Sequence, residues 1–63
     1  MFEVLIRCDG LWGWLDRAWC VTLARENAAV FLGRMEATQA GANFLARCYS
    51  GAGSPGFGLV QVG

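Results

Sequence analysis

The chain has 63 residues, five of them arginine and five acidic, and it contains neither histidine nor lysine. These absences exclude an imidazole general base, an imidazole metal ligand and a lysine nucleophile. A net charge of zero with no run of like charges argues against a nucleic-acid binder that works by counterion release, and against a polybasic membrane anchor. A chain this short is one domain, 1–63, and its 56% hydrophobic residues favour a protein partner or a dimer. Whether the domain is a monomer or a homodimer stays open.

The first predicted element is a β-hairpin. Alternating apolar residues predict a strand over Phe2–Cys8, with the even-numbered residues on one side and the odd-numbered residues on the other. Asp9-Gly10 is a strong signal for a two-residue turn. Leu11–Leu15 is the return strand, with its two tryptophans on the same side.

Further strands are predicted after the hairpin. Asp16-Arg17 suits a bend, and 19–25 has the alternation of a strand. Glu26-Asn27 suits a tight turn, because Asn tolerates a positive φ. The segment 28–32 has the composition of one more strand.

The clearest predicted element is a helix over 34–49, followed by a glycine-rich loop over 51–58 and a final strand over 57–62. Gly33 is an acceptable N-cap, and Gly51 is the expected stop. The inward face of the helix combines small residues with one large aromatic residue. It comprises Ala37, Ala40, Gly41, Phe44, Leu45 and Cys48.

The order β-β-(β)-α-β predicts an α+β fold, a three- to four-stranded antiparallel sheet with one helix packed on one face. The remaining apolar residues then lie on the other face of the sheet. If that face is uncovered, it is the expected contact surface.

The cysteines do not predict a metal site. Cys8, Cys20 and Cys48 are widely spaced and form no C-x-x-C pair, so we expect small buried thiols rather than a zinc site completed by Asp9. A cysteine nucleophile would have no histidine to activate it.

Two other sequence patterns match known cofactor-binding or catalytic motifs, but we expect neither to have that function. Residues 51–56 match G-x-G-x-x-G, but the predicted helix precedes the glycines instead of following them, so we expect no cofactor. Asp9 and Asp16 are better explained by turns and solvent than as a glycosidase pair, which needs a deep cleft. No catalytic residue is predicted, and the protein is not expected to be an enzyme.

The strongest functional signal is a pair of tryptophans. Trp12 and Trp14 lie two residues apart in a predicted strand and project to one side. If that side faces outward, they form an aromatic platform of the kind found in binding hot spots and in base stacking, and otherwise they fill the small core. Arg7 and Arg25 fall on predicted neighbouring strands, and Arg17 follows the tryptophans. These five are the candidate partner-binding residues.

A family resemblance rests on three parts of the chain: the first strand and turn, Val4-Leu5-Ile6-Arg7-Cys8-Asp9-Gly10, the helix with Glu36-Ala37 and Ala46, and the closing strand. These resemble small HicB-like β-β-β-α-β domains of antitoxins and of bacterial and phage proteins. The chain is also similar to small inhibitors encoded by phages and mobile elements, including anti-CRISPR proteins. The resemblance implies a bacterial, non-enzymatic module that binds a host protein or nucleoprotein complex. The alternative is a HicB-like antitoxin or a nucleic-acid-binding domain that uses Trp and Arg on the sheet.

The expected location is the cytoplasm. The start of the chain has no basic and apolar leader, and the glycines and Pro55 in the uncharged segment 48–63 exclude a spanning helix. Three free thiols fit a reducing compartment.

Overall fold

Four antiparallel strands form one sheet, and a single helix packs on one of its faces in a computed structural model that describes residues 1–8, 10–48 and 56–63. The side chains of Cys8 and Cys48 are outside this description. The strands are β1 (Phe2–Cys8), β2 (Leu11–Leu15), β3 (Val21–Thr22) and β4 (Gly56–Gln61), and the helix is α1 (Arg34–Cys48). The strand order is β3-β2-β1-β4, and α1 packs on β1 and β4. The predicted α+β fold is confirmed.

The core lies between the sheet and the helix. Alternation along β1 sends Val4 and Ile6 to the helix side, where both are fully buried, and Leu15 of β2 joins them. The helix contributes small residues and one aromatic ring, Phe44, so its axis lies close to the sheet. The buried core cluster comprises Val4, Ile6, Leu15, Ala37, Ala40 and Phe44.

Gly41 sets the distance between α1 and β4. A Cβ at this position would lie 2.5 Å from Cδ2 of Phe57, which is far inside van der Waals contact. The predicted inward face of the helix is therefore confirmed for the described side chains. The amide of Ala37 donates to the carbonyl of Gly33 at 3.1 Å, as expected when Gly33 is the N-cap. The predicted last residue, 49, and the predicted stop at Gly51 lie outside the described residues.

The strand predicted over 19–25 is wrong except at its centre, because only Val21–Thr22 is a strand. Two side chains capture the backbone donors that a longer strand would need. Oδ1 of Asp16 accepts from the amides of Ala18 and Cys20, both at 2.9 Å, and Oγ1 of Thr22 accepts from the Ala24 amide at 3.1 Å. Short polar side chains thus hold the chain in turns on both sides of β3.

The strand predicted over 28–32 is also wrong. Ala28 forms an isolated bridge with Asp16, and Phe31 exchanges two 2.8 Å hydrogen bonds with Phe2. The segment therefore joins the end of β2 to the start of β1 without running along either strand. The turn predicted at 26–27 exists as a 3₁₀ turn, η1 (Arg25–Asn27), although the positive φ considered for Asn27 is absent from this described turn.

Some predictions fall outside the described residues. Asp9 of the hairpin turn and residues 49–55 of the glycine-rich loop are among them, whereas Gly10 is described and has φ 79°, as the predicted turn requires. The pattern over 51–56 enters the described structure only at Gly56, which begins β4. In the described part of the chain, no helix is long and apolar enough to cross a membrane.

Candidate protein-binding surface

The face of the sheet opposite α1 gathers most of the residues singled out from the sequence. The register pairs Leu5 with Trp14 and Arg7 with Trp12, so the odd-numbered residues of β1 and both tryptophans project away from the helix. On the other side of β1, Leu5 pairs with Gly58 of β4. We call this surface the outer face; it comprises Glu3, Leu5, Arg7, Trp12, Trp14, Thr22, Gly56, Gly58 and Val60.

One half of the outer face is built around Trp14. The guanidinium carbon of Arg25 lies 4.7 Å from the centroid of the Trp14 ring, within the range of a cation–π contact. Nε of the same arginine donates to Oε1 of Glu3 at 3.1 Å. The side chain of Glu3 is 10% exposed and that of Arg25 is 57% exposed, so the pair joins a covered carboxylate to a largely hydrated cation. Arg25, which begins η1, therefore reaches back across β2 to β1.

The other half is built around Trp12. The guanidinium carbon of Arg7 lies 5.8 Å from the centroid of its ring, so a second arginine stacks on a second indole. Trp12 is 49% exposed, which leaves a large apolar surface in contact with solvent. Each contact of this kind contributes about 0.5–1 kcal/mol at an exposed site. Both arginines are thus held in place beside the rings.

Two glycines lower the β4 side of the outer face. A Cβ built at Gly56 would lie 3.7 Å from Nη2 of Arg7, in ordinary van der Waals contact, so the guanidinium lies beside this glycine. A Cβ built at Gly58 would meet no described atom within 4 Å. The surface therefore steps down from the indoles of β2 to a shelf over Leu5 and Gly58, which we call the glycine shelf.

Four of the five candidate residues come together on this side of the sheet: Arg7, Trp12 and Trp14 on the strands, with Arg25 reaching over them. The alternative that the tryptophans fill the core is wrong, because both project from the face opposite the helix. Arg17 lies exposed in the turn after β2, and no contact in the described residues ties it to the other four.

Sequence reasoning missed Glu3 and Gly58. The signal for Glu3 was its place among the odd-numbered residues of β1, which put an acid on the same side as Arg7. The signal for Gly58 was that it follows Phe57 in a short apolar strand, and neighbouring residues of a strand project to opposite faces of the sheet. In both cases the sequence shows on which face of the sheet the residue lies, but not which residues of the neighbouring strands it lies beside.

A second aromatic feature lies on the helix side. Trp19 has a left-handed backbone with φ 59°, held by the Asp16 hydrogen bonds around it, and its ring stacks on Phe44 at 6.3 Å with an interplanar angle of 6°. A cleft of about 380 Å³ lies beside this pair and is also lined by Asn43 and Arg47. Trp19 was predicted within a strand and was not among the candidate residues.

Charge on the outer face is modest. Among the described residues, Arg25 is paired with Glu3, and Arg7 lies over the ring of Trp12. Among the described residues, no group of three or more His, Cys, Asp or Glu side chains lies close enough to hold a metal ion. Cys20 is an exposed free thiol, so the prediction of a buried thiol is wrong at this position, because the turn around Asp16 places it at the surface. The side chains of Cys8 and Cys48 lie outside the described structure.

Comparison with family models, with curated proteins and with solved structures gave no significant match.

Proposed function

We propose that the protein is a non-enzymatic binding module whose outer face recognises a protein or a nucleoprotein complex. The observation that carries the proposal is the gathering of two indole rings and two guanidinium groups on the sheet face opposite α1. In this proposal the module acts as a small inhibitor of the anti-CRISPR type, encoded by a phage or mobile element and working in the bacterial cytoplasm. That part rests on the resemblance of the sequence.

The chemistry of the outer face favours a protein surface as its partner. Trp and Arg dominate binding hot spots, because they combine a large apolar area with directed hydrogen bonds. Here the stacking contacts fix Arg7 and Arg25 before binding, which lowers the entropy lost on association. The glycine shelf can receive a side chain that projects from the partner.

A nucleic-acid-binding domain, as in a HicB-like antitoxin, is the second candidate. It is favoured by the aromatic rings on a sheet face that no described helix covers, since several folds stack unpaired bases on such a face. We rank this candidate below a protein-binding module for two reasons. One face of each indole already carries a guanidinium, and the few cations available would neutralise few phosphates, so affinity at physiological salt would be low.

The test uses the full chain as bait in extracts of its bacterial host, followed by binding measurements with the purified partner. Trp12→Ala removes the most exposed ring of the outer face, and Trp14→Ala removes the other. Met35→Ala is the matched control, because Met35 is an exposed apolar residue on α1 rather than on the sheet. Circular dichroism of each variant verifies that the fold is intact.

We expect one protein to bind the wild type and the control, and to bind either tryptophan variant at least tenfold more weakly, as is typical when a hot-spot residue is truncated. Its affinity should change little with salt. A steep fall of affinity with salt, abolished by nuclease, would establish the nucleic-acid alternative instead. A partner that binds the tryptophan variants as well as the wild type would refute the proposed surface.

A further inference from the structure

The two edges of the sheet differ in a way that points to self-association. β3 is two residues long and is bounded by the Asp16 turn on one side and by η1 on the other. β4 runs for six residues, and among the described residues no strand pairs with its far side. It contains no charged residue and no proline, and neither of its glycines has a positive φ. Natural edge strands use such features to prevent pairing, and the described residues of β4 have none of them.

The hydrogen bonding of β4 determines which backbone groups face that edge. Val62, just beyond the strand, donates to the carbonyl of Met1 at 2.8 Å and continues the register between β1 and β4. Bonded and non-bonded pairs alternate in an antiparallel ladder. The even-numbered residues of β4 therefore bond to β1, while Phe57, Leu59 and Gln61 direct their N–H and C=O groups outward.

We propose that β4 pairs antiparallel with β4 of a second copy of this chain, across a two-fold axis at Leu59. In this register Leu59 faces its own copy, and Phe57 faces Gln61 of the other copy. Every outward N–H and C=O of the three residues then finds a partner with ordinary ladder geometry. The result is one continuous eight-stranded sheet with both helices on the same face.

The flank of α1 fits this arrangement. Gly41 contacts Phe57 of β4, whereas Phe44 stacks on Trp19 beyond β2, so the helix surface on the Gly41 side lies toward the β4 edge. Helical spacing places Thr38, Ala42 and Leu45 on that flank. Arg34 of the first turn lies on the same side, with its guanidinium over the ring of Phe2.

The spacing of the two helices also fits. Because α1 packs on both β1 and β4, two strand spacings of about 4.8 Å would separate the helix axes by about 10 Å. This is the ordinary distance between packed helices, about 8–10 Å. A second copy thus covers both the edge and the flank. This pairing does not use the outer face, so the dimer is independent of the proposed function.

The experiment is sedimentation equilibrium of the full chain over a concentration series. The wild type should pass from a 6.8 kDa monomer to a species of twice that mass, with a dissociation constant in the micromolar range of a small interface. Gln61→Pro removes one outward donor without touching a bond to β1, and edge strands tolerate proline there. Ala42→Glu places like charges on the facing flanks. Gln39→Glu is the control, because it adds the same charge on an exposed part of α1 away from the β4 side.

We expect each of the first two variants to weaken dimerisation at least tenfold while the control behaves as the wild type, with circular dichroism unchanged for all. A wild type that stays monomeric up to about 1 mM, a concentration far above the range expected for such an interface, would overturn the inference. So would a dimer that both variants leave intact, or one that is lost on Trp12→Ala, since the outer face would then form the contact.

Discussion

Adding a side chain to the glycine shelf separates binding from folding. Gly58 has a backbone that an L-residue adopts, and a Cβ there would meet no described atom within 4 Å. Glycine inside a strand is about 0.5–1 kcal/mol less stable than alanine, and β-branched residues suit strands best. Gly58→Thr is therefore expected to raise the free energy of unfolding by about 1 kcal/mol. For a domain of this size, that raises the melting temperature by about 4–8 °C.

The same substitution should weaken partner binding. A β-branched side chain on the shelf occupies space that a partner side chain would fill, and overpacking of this kind costs about 1–3 kcal/mol. This corresponds to a dissociation constant roughly 5- to 150-fold higher. Calorimetry measures the stability, and titration with the purified partner measures the affinity, with Gly58→Ala as the smaller step. Unchanged affinity in a stabilised variant would refute the role of the shelf, and lost stability would refute the open space above Gly58.

Three further substitutions test the contacts that hold the surface. Gly41→Ala should cost about 1 kcal/mol net in urea unfolding, because overpacking against Phe57 exceeds the gain in helix propensity, and no loss would mean that the ring moves aside. Arg25→Gln should cost about 1 kcal/mol at low salt and less at high salt, and a double-mutant cycle with Glu3→Gln should detect the coupling that independent residues would lack. Asp16→Ala should cost about 1–2 kcal/mol in thermal unfolding, while Asp16→Asn keeps an accepting oxygen and most of the stability; equal losses would contradict this reasoning.

Periodicity predicted the elements that present one long side to the core. The alternation of β1 gave its buried side, and the spacing of α1 gave its inward face, since each pattern reports one long element against one core. The segments around β3 failed for the opposite reason. Their alternation is real, but single side-chain oxygens on Asp16 and Thr22 take the amides that a ladder would use. Hydrogen-bond competition of this kind leaves no trace in hydrophobic periodicity.

The candidate surface was predictable in part of its membership but not in its geometry. Two tryptophans at spacing two had to share a side, and alternation in β1 put Arg7 on one side of its strand. That Arg7 lies opposite Trp12 depends on the register, and that Arg25 reaches Glu3 depends on a 3₁₀ turn that replaced a predicted strand. Arg17, two residues beyond the end of β2, shows that closeness in sequence does not bring a residue onto the surface.

The unequal edges of the sheet also limit how far self-association can proceed. An antiparallel pair across a two-fold axis uses the same edge from both copies, so the contact is isologous and closes on itself. Further growth would need the β3 edge, where Asp16 occupies the amides of Ala18 and Cys20 and the strand lasts only two residues. If β4 pairs as proposed, the blocked β3 edge would stop assembly at two copies instead of letting it continue into a filament. The resulting dimer displays two outer faces on one continuous sheet, so a partner that offers two sites would bind both with a gain in avidity and no new contact.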